Sequence, residues 1–174
     1  MKIISLYLLL VVAIFAQGIQ MPEHFQAAFT QTITSPKKRV ITYTGEVYFS
    51  ANSWLKWAYH TPTKKEVCSH NHIIRVVDHD LEQVSEYRME KGMDLQAILE
   101  GATHHHGNVY VAHYNQKQYT LALNAKGFLE SMAYYDELDN KVQVLFRKIR
   151  AGKGSLSPSL MQCPYPDYYD IIKG

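Results

Sequence analysis

The chain has 174 residues, 47% of them hydrophobic, and its 18 Lys and Arg nearly balance 16 Asp and Glu for a formal charge of +2. So small a charge excludes nucleic acid as the partner, because neutralising phosphates takes a basic patch. Thirteen tyrosines, six phenylalanines and two tryptophans favour strands.

Residues 1–16, MKIISLYLLLVVAIFA, have the shape of a cleavable secretory signal: Lys2 as the basic start, a short apolar run, and Ala16 at the cleavage position. The apolar run is shorter than the roughly 20 residues a membrane span needs, and polar Gln17 ends it. The expected arrangement is a signal peptide, 1–16, followed by one exported domain, 17–174.

In residues 21–34, Phe25 and Phe29 stand four apart, a spacing that permits one or two amphipathic turns before a strand-like 30–34. Residues 36–39, Pro-Lys-Lys-Arg, read as a basic hairpin tip; the sharper alternative is a contact for anionic headgroups or an acidic partner. Residues 40–50 alternate with period two, placing Ile41, Tyr43, Gly45, Val47 and Phe49 on one nearly apolar face. Residues 54–60 place Leu55, Trp57 and Tyr59 on one face of the next strand, which Pro62 ends. Short strands follow at 66–69, 73–78 and 82–88, with a turn at 70–72. Residues 93–100 fit a helix between Gly92 and Gly101, and strand-like runs follow at 108–114, 118–124, 128–135 and 141–150. The tail, with three prolines after residue 156, leaves room for a short final strand.

These elements predict a mainly β fold, a meander of about ten antiparallel strands that curls into an open or closed barrel, with short helices over one mouth or face. In an oxidising compartment Cys68 and Cys163 can form the one internal disulfide available, closing 95 residues at about 4–5 kcal/mol in the chain-entropy model; two buried thiols are the alternative.

No residue pattern supplies a catalytic centre. His104, His105 and His106 lie between Gly101 and Gly107 and read as a solvated loop, because adjacent histidines on regular backbone cannot all face one metal. His70 and His72 flank a turn. Asp78, Asp80 and Glu82 form an acidic corner better suited to capping than to acid–base work. Gly152-Lys153-Gly154 lacks the rest of a phosphate loop, and no Gly-x-Ser-x-Gly elbow occurs. Neither a cofactor nor a metal is expected.

An ordered set of features resembles the periplasmic outer-membrane lipoprotein carrier family, LolA. It runs Phe25, Phe29 and Gln31; then Gly45, Val47 and Phe49; then Lys56, Trp57, Tyr59 and Pro62; then Asp80, Glu82, Gln83 and Val84; then a Leu-rich helix with Leu95, Ile98 and Leu99. The resemblance implies an unclosed β-barrel with a helical lid. Its cavity for acyl chains would be lined by Ile41, Tyr43, Val47, Phe49, Leu55, Trp57 and Tyr59, and its lid would carry Leu95, Ile98 and Leu99. From the residues alone the same side chains also suit an ordinary filled core. The implied location is the periplasm, and the implied partners are acylated lipoproteins, an inner-membrane lipoprotein-releasing ABC transporter and an outer-membrane acceptor, with the carrier a monomer and not an enzyme. The chain departs from the family where an Arg-Pro pair tied to lid closure is replaced by Ala51-Asn52, with Lys56 or Arg75 as candidate substitutes. It also departs in its first helix, for which only about 17–26 is available, limited by Pro22. A lipoprotein- or lipid-sensing regulatory domain of the same open-barrel type is the alternative function. A secreted hydrolase or metal enzyme using the histidines is a third.

Overall fold

The computed structural model describes residues 18–50, 54–88 and 94–173. The N-terminal half is a run of hairpins: β1 (His24–Thr34), β2 (Val40–Ser50), β3 (Trp54–Thr61), β4 (Lys65–His70), β5 (Ile73–Asp78) and β6 (Gln83–Arg88). Helix α1 (Leu95–Glu100) leads to a second run: β7 (Thr103–His106), β8 (Val109–Tyr114), β9 (Lys117–Leu123), β10 (Leu129–Tyr135) and β11 (Lys141–Gly152). A one-turn helix, α2 (Pro158–Met161), and β12 (Asp170–Lys173) complete the chain.

All twelve strands form one sheet in the order β12-β6-β5-β4-β3-β2-β1-β11-β10-β9-β8-β7. The two meanders are joined by the antiparallel pair β1–β11, and β12 alone runs parallel, against β6. β7 and β12 are the two edges, so the sheet is not closed. Twelve twisted strands exceed the ~10 that stay open without curling. Trp57 on β3 and Phe146 on β11 are three strand spacings apart, about 14 Å in a flat sheet, yet their ring centroids lie 6.1 Å apart. The sheet therefore curves toward the face that carries them.

Local chemistry explains the turns. Asn71 and His72 both take positive φ, as do Asn115 and Gln116, which is the two-residue hairpin geometry that matches strand twist. On β11, Lys148 at φ 53 marks a bulge that shifts the register against β1, so that Phe146 and Ala151 share a face across an odd spacing.

Three expectations are corrected. Residues 25–29 are strand: Phe25, Ala27 and Phe29 are buried in alternation, so the spacing of four reflects period two. Residues 18–23 carry no helix; they cross α1 instead, with Ile19 N donating to Leu99 O at 2.9 Å. The histidine run is edge strand β7, which pairs with β8 across a turn where Gly107 takes φ 53. All four of its residues are exposed, and His104 bonds the Gly107 carbonyl at 3.0 Å. Among the described residues no group of three metal-ligating side chains occurs.

The core lies on the concave face, where α1 buries Leu95, Ile98 and Leu99. Asp94 caps this helix by accepting from Ala97 N at 3.0 Å, and Gly101 N closes it on Ala97 O. Met93 and Gly92 lie outside the described residues.

A candidate apolar binding face on the curved sheet

Register builds the concave face row by row. One row runs Ala27, Val47, Trp57, Val67, Val76 and Ser85, and the next Phe25, Phe49, Leu55, Ser69, Ile74 and Tyr87. Neither row contains a charged side chain. At the centre is Phe29, buried, its ring edge-on to Trp57 at 4.9 Å and to Tyr59 at 5.1 Å. Gly45 makes that seat possible. A Cβ there would stand 2.0 Å from the Ala58 carbonyl oxygen and 2.9 Å from the Phe29 ring. Phe25 meets Phe146 edge-on at 5.7 Å, and Tyr43 meets Tyr59 at 5.8 Å.

The seven expected lining residues share this face without being equivalent. Val47 and Phe49 are buried. Leu55, Trp57 and Tyr59 are half-buried and packed against the core, and Tyr43 is half-buried. Ile41 is exposed at the end of the sheet. Burial pushes the Tyr59 phenol up to about 12, with Tyr134 and Tyr43 adding, and burial pushes Tyr134 up to about 12, with Tyr119 and Asp136 adding. Both phenols are therefore uncharged at neutral pH. Helix α1 closes over the β8 side of this face.

The C-terminal half contributes side chains beyond the seven expected: Phe146, Val144, Met132 and Leu121, all buried in the same cluster. Val67, Val76 and Ile74 extend the Trp57 and Leu55 rows onto β4 and β5. On β9 and β11 the signal was the period-two pattern; β5 is apolar on both faces, and only the pairing reveals which of its side chains share the concave face.

The opposite face is apolar too, and the chain's own tail covers it. Cys68, Val77 and Val84 pack with Cys163 and Tyr169, and Cys68 and Cys163 are joined as a disulfide. Lys56, flanked by Leu55 and Trp57, points to this side, as strand alternation requires. Its buried ammonium lies 2.8 Å from Glu66 Oε1 and donates to Gln162 O at 2.6 Å. Arg75 donates from Nε to Glu86 Oε1 at 2.6 Å and lies 5.6 Å from the Tyr165 ring centroid. Both candidate substitutes for a lid-closing arginine are thus bound on the face away from α1. Ala51 and Asn52 lie outside the described residues. A cavity of about 460 Å³ remains between tail and sheet, walled by Trp54, His70, Arg75, Met161 and Tyr165 among others.

Comparison with known proteins agrees with this geometry. Residues 20–112 match the family model described as outer membrane lipoprotein carrier protein LolA. The chain is 31% identical over 150 residues to an outer-membrane lipoprotein carrier protein of Campylobacter jejuni, covering 86% of each chain. It is 27% identical over 123 residues to the protein of that name from Wolinella succinogenes, covering 71% of this chain and 72% of that one. A crystal structure of an uncharacterized conserved protein from Thermus thermophilus shares the fold at 9% identity and a TM-score of 0.55, covering 88% of this chain and 91% of that one.

Proposed function

The chain belongs to the LolA family of outer-membrane lipoprotein carriers, and from that premise we propose that it shuttles acylated lipoproteins through the periplasm, from an inner-membrane ABC transporter to an outer-membrane acceptor. The observation that carries this reading is the aromatic-rich concave face of an unclosed sheet, whose Ala27–Ser85 and Phe25–Tyr87 rows carry no charged side chain and whose Phe29–Tyr59 row meets charge only at its end, in the Lys65–Asp78 pair. Moving an acyl chain from bilayer to water costs ~0.8 kcal/mol per CH₂, roughly 12 kcal/mol for one long chain. A carrier has to offset most of that with apolar wall and still let go. No bond is made or broken, so the site needs area and an exchangeable cover.

On this reading Val47, Phe49, Leu55, Trp57 and Tyr59 form the fixed wall, with Tyr43 and Ile41 toward its end. Val67 and Val76 extend the wall, and α1, with Leu95, Ile98 and Leu99, is the movable cover. Neutral Tyr59 and Tyr134 keep charge away from the acyl chains.

The test is release. The processed protein, incubated with inner-membrane vesicles bearing newly made lipoproteins, is expected to bring them into solution as one-to-one complexes. Val67→Glu, which puts a charge into the half-buried Trp57 row, is expected to stay folded and lose that release; Trp57→Glu does the same closer to the centre. If the wild type releases nothing under conditions in which another family member does, the carrier reading fails. If folded Val67→Glu and Trp57→Glu proteins release normally, the cargo does not lie on this face.

A further inference from the structure

One end of the sheet gathers exposed apolar side chains and unpaired cations on rigid turns. Between β1 and β2, Ser35 N donates to Arg39 O at 2.9 Å, Lys38 N to Ser35 O at 2.8 Å, and Arg39 N to Ser35 Oγ at 3.1 Å. This turn projects Lys37, Lys38 and Arg39 into solvent. The residues that follow, Val40 and Ile41, are apolar and β-branched yet 59% and 50% exposed. Register continues the patch sideways. Val40 pairs with Thr34, Thr34 with Lys141, and Lys141 with Tyr135, which is 60% exposed.

The adjoining turn between β10 and β11 is equally well tied. Asp136 accepts from Leu138 N, Asn140 N and Asn140 Nδ2, each at 2.9 Å, and Leu138 stands 76% exposed at the tip. On the other side, exposed Lys64 joins the end through the β3–β4 turn. Among the described residues, Lys37, Lys38, Arg39, Lys64 and Lys141 make no ion pair. Acidic groups flank the patch and are mostly engaged. Asp136 holds its turn, Glu137 pairs with Lys117 and Asp78 with Lys65, and Asp80 accepts from Lys64 N. Asp139 and Glu82 remain, with Asp170 beyond Glu82 on the edge strand β12.

Scattered exposed apolar residues need no explanation, but apolar side chains interleaved with free cations on a rigid end are the signature of an interfacial contact. We propose that this end docks on an anionic bilayer surface, with Lys37, Lys38 and Arg39 against lipid phosphates and Val40, Ile41 and Leu138 entering the headgroup boundary. Ile41 lies on the concave face, next in alternation to Tyr43, so docking brings one end of that face to the lipid. The contact does not depend on which cargo the face takes.

The experiment is co-sedimentation of the exported, processed protein with vesicles of phosphatidylcholine alone or mixed with phosphatidylglycerol. Binding is expected only to the mixed vesicles and to weaken as salt is raised. K37Q/K38Q/R39Q is expected to lose roughly 100-fold in partitioning, from about 1 kcal/mol per basic side chain. V40S/I41S is expected to lose about tenfold. K126Q/K153Q, at the opposite end of the sheet, should bind as wild type does, and circular dichroism confirms that each variant is folded. Equal binding to both vesicle types, or undiminished binding of folded K37Q/K38Q/R39Q, overturns the proposal. So does absence of vesicle binding in a protein whose same residues instead capture an acidic polypeptide.

Discussion

Gly45→Ala gives the sharpest test of how the aromatic face is built. The new Cβ would lie 2.0 Å from the Ala58 carbonyl oxygen, where ordinary contact begins near 3.4 Å, so the β3 backbone must retreat by more than 1 Å. That movement breaks one or two ladder hydrogen bonds next to an existing register shift, at about 1 kcal/mol each. The same methyl group would lie 2.9 Å from Phe29 Cε1 and push the ring off Trp57 and Tyr59, two edge contacts worth ~0.5–1.5 kcal/mol each. The lower entropy of the unfolded alanine chain returns under ~1 kcal/mol. The net expectation is a loss of about 3 kcal/mol. With a urea slope near 2 kcal/mol/M, that is a midpoint shift of roughly 1.5 M. Far-UV circular dichroism follows the sheet and tryptophan fluorescence follows Trp57 on Phe29. Gly152→Ala is the control, because its Cβ meets only the movable His24 ring at 3.1 Å; it should stay within about 1 kcal/mol of wild type. A Gly45→Ala midpoint within ~0.3 M of wild type would refute the claim that this glycine makes room for Phe29.

Removing the cross-link with C68S/C163S frees a 95-residue separation, and the loss should approach the ~4–5 kcal/mol of the chain-entropy model, with proteolysis appearing between β11 and α2. An unchanged denaturation midpoint would show that noncovalent packing alone holds the tail. Lys56→Met leaves Glu66 partly buried with only His79 Nε2, 3.8 Å away, and should cost about 3 kcal/mol; Lys56→Met with Glu66→Leu should recover most of it. Equal losses in the single and double variants would mean that the pair is not coupled. The raised phenols of Tyr59 and Tyr134 fix the sign of an alkaline effect. Between the unfolded value near 10 and the folded value of about 12 the native state holds protons that the unfolded chain releases, so stability is level below pH 10 and falls from 10 to 12. A denaturation midpoint flat across that window would contradict the burial of these rings.

Residues 40–50 and 73–78 were legible as strands to the residue: alternation over 40–50 allows one face assignment, the β-branched run 73–78 has strand composition, and turn residues bound both. The four-residue spacing of Phe25 and Phe29 was ambiguous: small Ala27 between them hides the period-two signal that burial reveals. β7 was illegible because three consecutive histidines carry no alternation; its pairing is fixed by the turn at Gly107 and by β8. α2 is a single turn opened by Ser157-Pro158, too short for periodicity to register. The aromatic face was half legible. The side chains of β2 and β3 could be grouped because those strands are neighbours in sequence. Phe146 joins Phe29 only through the β1–β11 pairing, across more than a hundred residues, and no local pattern encodes that contact.

The two sides of the sheet are covered in different ways, which supports the proposed exchange on one of them. β4 and β5 carry apolar side chains on both faces, Val67 and Val76 on one and Cys68 and Val77 on the other, so each face must be covered by something. On the tail side the cover is fixed three ways: by the Cys68–Cys163 bond, by the Lys56 ammonium held to Glu66 and the Gln162 carbonyl, and by β12 pairing along β6. On the concave side α1 is six residues long, capped by one aspartate, and anchored by three apolar side chains. Detaching the tail means breaking a covalent bond and uncovering a buried charge. Lifting α1 breaks the backbone bond from Ile19 N to Leu99 O and otherwise uncovers apolar side chains that an acyl chain can cover again. On the proposed carrier reading, uptake and release of the same cargo need one permanent cover and one replaceable cover, and α1, on the β8 side of the concave face, is the candidate for the replaceable one.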